Sequence, residues 1–242
     1  MRFIIQNDAN FDFIWAIEEA IKFHEWYNDC AIPNFRCNFS DLSKFAEEGD
    51  TFIPIGSVEF VHKAMKIQTG NNRYEPNQIN IPSELMTSEF CGRKCFNIIN
   101  EEFTNKTDCS VFYKSLSKVK GEKGVLKPNE TLKEGSWFIS ELVEFYAEYR
   151  GFVLDGRLLD IRLYLGDYRK SIDFAKIDKM INKYGNKTYT IDVGIIGNDT
   201  FLIEIHRFYS CGLYGFCTNN KLLTMLERGY SELLELYKGE EL

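Results

Sequence analysis

Residues 188–216 read TYTIDVGIIGNDTFLIEIHRFYSCGLYGF, two apolar-rich runs folded together by a short Gly197-Asn198-Asp199 turn. Each run carries one acid, Asp192 in the first and Glu204 in the second. A hairpin centred on Asn198 sets Ile196 opposite Thr200, Gly194 opposite Leu202 and Asp192 directly across from Glu204. The alternation of a strand then adds His206 to the same face. Like charges opposite one another in a ladder repel, so two carboxylates held this way call for a cation, a basic side chain or a shared proton between them. Hard carboxylate oxygens suit Mg²⁺, above all where a phosphate completes its octahedron. The plainer alternative is a solvated outer face with two incidental acids, the common setting for Asp and Glu.

Composition frames that hairpin. A chain of 242 residues, 44% hydrophobic and 15% aromatic, can bury a full core as one large domain or two small ones. Its formal charge of -7, with acids and bases interspersed, leaves no basic stripe for a nucleic-acid backbone, so no nucleic-acid partner is expected. No apolar run approaches the ~20 residues that span a bilayer. The start, MRFIIQNDANFDF, lacks the basic opening and small-residue cleavage site of a signal peptide. The expectation is a soluble, cytoplasmic protein with no membrane partner. Seven cysteines (Cys30, Cys37, Cys91, Cys95, Cys109, Cys211, Cys217), an odd number without the spacing of a secreted scaffold, fit reduced thiols. Cys91 and Cys95, in CGRKC, form the closest pair, and a zinc site would need two more ligands at similar spacing.

Upstream of the hairpin, residues 2–6 read as a buried strand. Residues 11–27 carry Phe13, Ile14, Ile17 and Ile21 at helical spacing. A second helix is expected over 41–48 and a strand over 51–55, with Ser57 as N-cap of the helix SVEFVHKAMK. This alternation describes a small α/β lobe over residues 1–70. The polar, proline-broken run QTGNNRYEPNQINIPS, residues 68–83, reads as a connecting loop or flap. Strands are expected over 110–114 and 136–140, separated by the basic loop SLSKVKGEKG. Two more strands join at Asp155-Gly156, the strongest short hairpin signal in the chain. A helix over 171–183 precedes the acidic hairpin. An amphipathic helix over 219–238 closes the chain, with Leu222, Leu226, Leu233, Leu234 and Tyr237 as its apolar stripe and an exposed remainder that could form a homodimer.

In chain order, then, a basic strand and loop (Lys114, Lys118, Lys120, Lys123) precede SELVEF, EYRGFVLDGRLLDIRLY and the two-acid hairpin. This ordered set resembles the ATP-grasp superfamily, in particular its compact phage- and bacterium-associated members, over about residues 110–215. The segment IPIGSVEF is more weakly similar to a pre-grasp lobe. The resemblance implies an α+β fold of two subdomains gripping a nucleotide, with a pre-grasp α/β lobe over 1–70, the ATP-grasp domain over 71–242 and a hinge near 140–144. It implies that Lys114 and Lys118 contact phosphate oxygens, where charge-assisted hydrogen bonds are strongest, with Lys120 competing for the second place. Glu141, Leu142 and Val143 would form the hinge against the adenine, and Glu148 would join the nucleotide-binding set. Arg150 and Arg162 match the arginines that neutralise a transferring phosphoryl group. Asp192 and Glu204 match the metal-binding acids, with His206 at the third position.

Two points test that correspondence. A strict two-residue turn at Asp155-Gly156 sets Arg150 opposite Ile161 and Arg162 opposite Tyr149, on different faces, so both serve one site only if a bulge shifts the register. Arg162 ranks first, since Arg150 could instead be buried in a pair with Glu148. His206 stands where the family generally has Asn, and imidazole prefers softer metals than Mg²⁺. It is a hydrogen bonder behind the ligands, or the second metal position is altered, or the enzyme is degenerate. Arg207 also replaces a residue more often small or acidic, whereas Gly212 and Gly215 in CGLYGF resemble the family's glycine-containing exit.

The activity implied is that of an ATP-dependent carboxylate–amine ligase using ATP and Mg²⁺ through an acyl phosphate. Its substrates would be a small molecule, peptide or protein bearing a carboxylate and an amine. Such chemistry rests on positioning and charge neutralisation and needs no nucleophilic residue. With only His24, His62 and His206, a classical triad has little to work with. The alternative is a degenerate nucleotide-binding module that docks a partner without ligase activity. A kinase-like phosphotransferase is weaker, for lack of a GxGxxG loop and an HRD-type base motif.

Overall fold

The computed structural model describes residues 2–47, 49, 51–72, 76–216 and 219–239, and of residues 219, 220, 238 and 239 the backbone alone. The chain opens with β1 (Phe3–Gln6), α1 (Asp12–Asn28), β2 (Asn34–Cys37), α2 (Leu42–Phe45), β3 (Ile53–Ile55) and α3 (Val58–Thr69). There follow α4 (Ser88–Cys91), β4 (Cys95–Thr104), β5 (Val111–Ser115), β6 (Lys123–Leu126) and β7 (Thr131–Glu141). The chain continues through β8 (Ala147–Leu154), β9 (Arg157–Gly166), α5 (Phe174–Tyr184), β10 (Tyr189–Ile196), β11 (Asp199–Arg207) and α6 (Asn219–Gly239). These α+β elements fall into two compact units, residues 1–75 with 207–242, and residues 76–206.

In the first unit the strands form a parallel sheet ordered β2-β1-β3. Its central strand β1 is buried at every position, as a strand covered on both faces requires. Ser57 caps α3, its hydroxyl accepting from the Phe60 N–H at 3.1 Å, as expected. Ile4, Leu42, Phe52, Phe60 and Ala64 make one core cluster of this unit. The helix expected over 41–48 is a single turn, α2, after a 3₁₀ turn at Phe39–Asp41. His62 is buried and satisfied by the Tyr209 hydroxyl at 3.0 Å, a core histidine. The final helix α6 packs against α1 and α3 in this unit, burying Leu222, Leu226, Leu233 and Tyr237. Its stripe was legible in the sequence; its partner elements were not.

The second unit holds two four-stranded sheets, β4-β7-β5-β6 and β11-β10-β8-β9. The ladders β4–β7, β5–β7, β5–β6, β8–β9 and β8–β10 are all antiparallel. The turn Asp155-Gly156 has left-handed backbone at both residues (φ 48 and 71), as the twist of a tight hairpin demands. One face of the β8–β10 sheet contributes Val153, Ile191 and Val193 to a core with Ile177, Met180 and Ile181 of α5 and with Leu202 and Ile205 of β11. Asp173 caps α5 through the Lys176 N–H at 3.1 Å. Two strands not expected from the sequence, β4 and β6, are the edges of the other sheet, and β7 runs well beyond the expected 136–140. No helix among the described residues is long and apolar enough to cross a membrane.

Candidate functional site

β8 lies between β10 and β9, and its register sets Arg150 opposite both Asp192 and Arg162. The last alignment depends on a bulge. From the turn, Leu154 pairs with Arg157 and Val153 with Leu158, after which the ladder slips and Phe152 meets Asp160. The shift that both arginines needed is therefore present, and they share a face. Two guanidinium groups opposed in a ladder repel, and each is neutralised by its own acid. Arg150 donates from Nε and Nη2 to the two oxygens of Asp192 at 2.8 and 2.7 Å. Arg162 donates from Nε and Nη2 to Asp160 Oδ2 at 2.8 and 2.5 Å. Glu148 accepts from the Tyr164 hydroxyl at 2.6 Å, and Arg150, for which a pair with Glu148 was the alternative, is paired with Asp192. The reason is adjacency: β10, remote in sequence, lies directly beside β8.

Burial is the largest influence on Asp192 and raises its pKa, opposed by the Arg150 hydrogen bonds and reinforced by the nearby charge of Glu204. Tyr164 is likewise pushed up by burial and then by the charges of Asp192 and Glu148, so it stays a donor to Glu148. The Arg150 guanidinium lies 5.9 Å from the Tyr164 ring centroid, within cation–π range.

Glu204, on β11, receives Lys114 from the other sheet. The Lys114 ammonium donates to Oε2, and His206 Nε2 donates to Oε1 at 2.7 Å. The lysine and glutamate side chains are 12% and 19% exposed, which keeps their pairing largely out of water. Burial alone would raise the Glu204 pKa, but His206 and Lys114 together hold it below the usual carboxylate range. The hairpin turn consists of Gly197 and Asn198, with Gly197 at φ 63, rather than being centred on Asn198. Leu202 and Ile205, three positions apart, both enter the core, so alternation breaks between them, around Glu204.

The acids expected to hold a metal thus have basic side chains as partners. Among the described residues no group of three His, Cys, Asp or Glu side chains is arranged to hold a metal ion. Asp192, Glu204 and His206 therefore do not form a ready-made three-ligand site. Asp192 has both oxygens on Arg150. His206 uses Nε2 on Glu204 and Nδ1 on the Gln78 amide nitrogen, 3.0 Å away, which makes it a hydrogen bonder. The donor chemistry fits Mg²⁺ best at Glu204, a hard carboxylate with lone pairs to spare, and fits it poorly at the imidazole.

Glu141 ends β7, and its backbone N–H and carboxylate bracket Lys94, donating to the Lys94 carbonyl at 3.0 Å and accepting from its N–H at 2.9 Å. Residues 142–146 then carry the chain from one sheet to the other, with Leu142 exposed and Val143 half-buried. Lys118 is exposed in the turn before β6, outside the Lys114–Glu204 pair. Arg207 is the last residue of β11, and Gly215 takes a left-handed φ of 84. Cys30, Cys37, Cys91, Cys95, Cys109 and Cys211 are free thiols, and Cys217 falls outside the described residues.

Four residues join the site without having been singled out. Asp160 and Tyr164 flank Arg162 at two-residue spacing, a strand-period signal that was there to read. Phe145 covers Gly194 so closely that a Cβ there would fall 2.2 Å from its ring, and Gly194 shares the face of Asp192 two residues away. Gln78 lies in the polar run 68–83 and carries no local signal.

A family model described as "ATP-grasp domain, R2K clade family 2" matches residues 90–224. Among solved structures the chain is similar to the ATP-grasp ligase PsnB complexed with a minimal precursor, at 9% identity over 93% of this chain and 99% of that one, with a TM-score of 0.50. It is also similar to a RimK domain ATP-grasp protein from Sphaerobacter thermophilus (12% identity, 96% and 98% covered, TM-score 0.48). The D-alanine–D-alanine ligase of Bacillus anthracis gives 12% identity, 98% and 99% covered, and a TM-score of 0.44. No curated relative matches the chain.

Proposed function

The chain belongs to the ATP-grasp domain family, R2K clade, and on that premise we propose that it is an ATP-dependent ligase joining a carboxylate to an amine. One observation carries the reading. Lys114 from one antiparallel sheet meets Glu204 from the other, beside a row in which Asp192, Arg150 and Arg162 stand abreast on three strands. In this reading those cations would serve a triphosphate and those carboxylates its counter-ion.

In this reading Lys114 of β5, with Lys118 from the turn that follows it, binds phosphate oxygens, and Glu141, Leu142 and Val143 meet the adenine as the segment between sheets. Glu148, held by Tyr164, borders the nucleotide. Arg162, 43% exposed and anchored among the described residues to Asp160 two residues away, would turn toward a transferring phosphoryl group. Arg150, locked on Asp192, fixes the field around it. Glu204 would hold Mg²⁺, with Asp192 contributing only on release of Arg150. When bound, that ion supplies neutralisation between the phosphates. The substrate carboxylate would attack the γ-phosphorus, ADP would leave, and an amine would displace phosphate from the acyl phosphate. A peptide acceptor is the favoured substrate class, in keeping with the precursor bound to PsnB.

The test is direct. Purified chain given ATP, MgCl₂ and pooled peptides and amino acids should release ADP and phosphate and yield a product weighing the sum of two substrates less one water. A second reading, a nucleotide-binding module without turnover, is favoured by the locked state of Asp192 and His206. Tight ATP binding without ADP release from any pool would establish it in place of the first.

A further inference from the structure

Gln78 sits in a segment that stitches the two sheets of the second unit together. Its backbone N–H donates to the Leu116 carbonyl, just beyond β5, at 3.2 Å. Two residues on, the Asn80 carbonyl accepts from the Ile205 N–H of β11 at 2.6 Å, an isolated antiparallel bridge. The same segment thus touches the chain beyond Lys114 and the chain beside Glu204. From this tether the Gln78 side chain, 5% exposed, reaches Nδ1 of His206 at 3.0 Å, while the opposite ring nitrogen faces Glu204 at 2.7 Å.

The chemistry of those contacts fixes the ring. An ionised carboxylate only accepts, so Nε2 of His206 must carry a proton. A ring free to rotate or to move its proton to Nδ1 would turn a lone pair toward Glu204. The Gln78 amide opposes this, because its N–H requires an acceptor at Nδ1. Turned the other way, its oxygen would accept from Nδ1–H of a ring protonated at both nitrogens, and Nε2–H would still face Glu204.

We propose that Gln78 is a positioning residue of the nucleotide site: it holds the His206 ring with Nε2–H on Glu204 and thereby keeps the glutamate turned toward Lys114. The role in nucleotide binding rests on the function proposed above; the orientation of the ring does not.

The experiment separates the two. In protein labelled with ¹⁵N-histidine, two-bond ¹H–¹⁵N spectra report the ring protonation of all three histidines, and the His206 signals are those lost in His206→Asn. The wild type should show one His206 form, protonated at Nε2. Gln78→Met keeps the backbone tether and much of the volume but removes the amide. It should show averaged tautomers and bind ATP with MgCl₂ about tenfold more weakly, the scale of one lost hydrogen bond in a charged network. In the His206→Asn background Gln78→Met should have no further effect on ATP affinity, since the two residues act in series. A ring that stays fixed in Gln78→Met overturns the proposal, as does a mobilised ring with unchanged ATP affinity. Wild-type protein that fails to bind ATP while its ring responds to Gln78→Met would refute the nucleotide reading and leave the orientation standing.

Discussion

Replacing Asp192 by Asn should destabilise the second unit as well as disturb any chemistry there. The Asp192 carboxylate takes two hydrogen bonds from Arg150, at 2.8 and 2.7 Å, and the two side chains are only 9% and 2% exposed for Arg150 and Asp192 respectively. A guanidinium stays charged at any working pH, so the substitution strips a buried cation of the carboxylate that takes two of its hydrogen bonds. Breaking a buried pair in this way costs ~3 to 5 kcal/mol, which for a chain of this size corresponds to a fall of about 6 to 20 °C in midpoint. The chain forms two units, so the probe must belong to the right one. Trp137 is in the second unit, whereas Trp15 and Trp26 are exposed residues of the first. With those two replaced by Phe, thermal unfolding followed by fluorescence reads the second unit alone. The double variant Arg150→Met/Asp192→Leu, which removes both charges, should recover much of the loss, because the penalty lies in the stranded charge. An Asp192→Asn midpoint within about 2 °C of wild type, the scale of a surface substitution, would show that the pair is not the buried, coupled unit described here.

Lys114→Ala should weaken ATP binding more than Lys123→Ala, since Lys114 is paired with Glu204 and Lys123 is exposed on an edge strand; equal losses in calorimetry would mean that the phosphate grip is elsewhere. Gly194→Ala brings a Cβ to 2.2 Å from the Phe145 ring and should destabilise the second unit by ~1 to 3 kcal/mol, with Phe145→Ala restoring it in the same background; an unperturbed single variant would refute that packing. Glu204 has a folded pKa below its unfolded value, so its contribution is present above about pH 4.5 and lost as pH falls further. Glu204→Gln should therefore flatten the acid limb of the midpoint-against-pH curve, and parallel wild-type and variant curves between pH 6 and pH 3 would contradict the assignment.

What the sequence disclosed follows the range over which each interaction acts. The Asp155-Gly156 hairpin and the Ser57 cap are decided within four residues, and both were legible. The strand β4 was not, because FNIINEEF carries Asn and Glu on an exposed edge and its ladder is interrupted twice, so alternation never emerges. The facing of Arg150 and Arg162 was legible only as a condition, since a bulge leaves no mark in composition. The identity of each charge partner was beyond reach. Arg150 meets Asp192 because β10 inserts beside β8, 42 residues away in sequence, and Lys114 meets Glu204 across 90 residues. The opening argument, that two neighbouring carboxylates demand a compensating charge, was sound in principle. It left open whether an ion or a base would supply it, and here two bases do.

That outcome has a consequence for how nucleotide and cation depend on one another. Lys114 is the cation best placed for a phosphate, yet its ammonium is already committed to Glu204. Leaving that carboxylate for a phosphate strips Glu204 of one of its two donors while it stays largely buried. A hydrogen bond to a charged group is worth ~1.5 to 3 kcal/mol, so the exchange should depress metal-free ATP affinity by about 10-fold or more relative to a chain whose lysine is uncommitted. Glu204→Gln supplies that chain, since a neutral amide holds an ammonium far less strongly than a carboxylate does. In EDTA the variant should bind ATP more tightly than wild type, even though it is expected to have lost turnover. Calorimetric titration of both proteins with ATP, with and without MgCl₂, measures the difference. Equal affinities in EDTA would mean that Lys114 and Glu204 do not compete for the same charge, and that the phosphates are met by some other base.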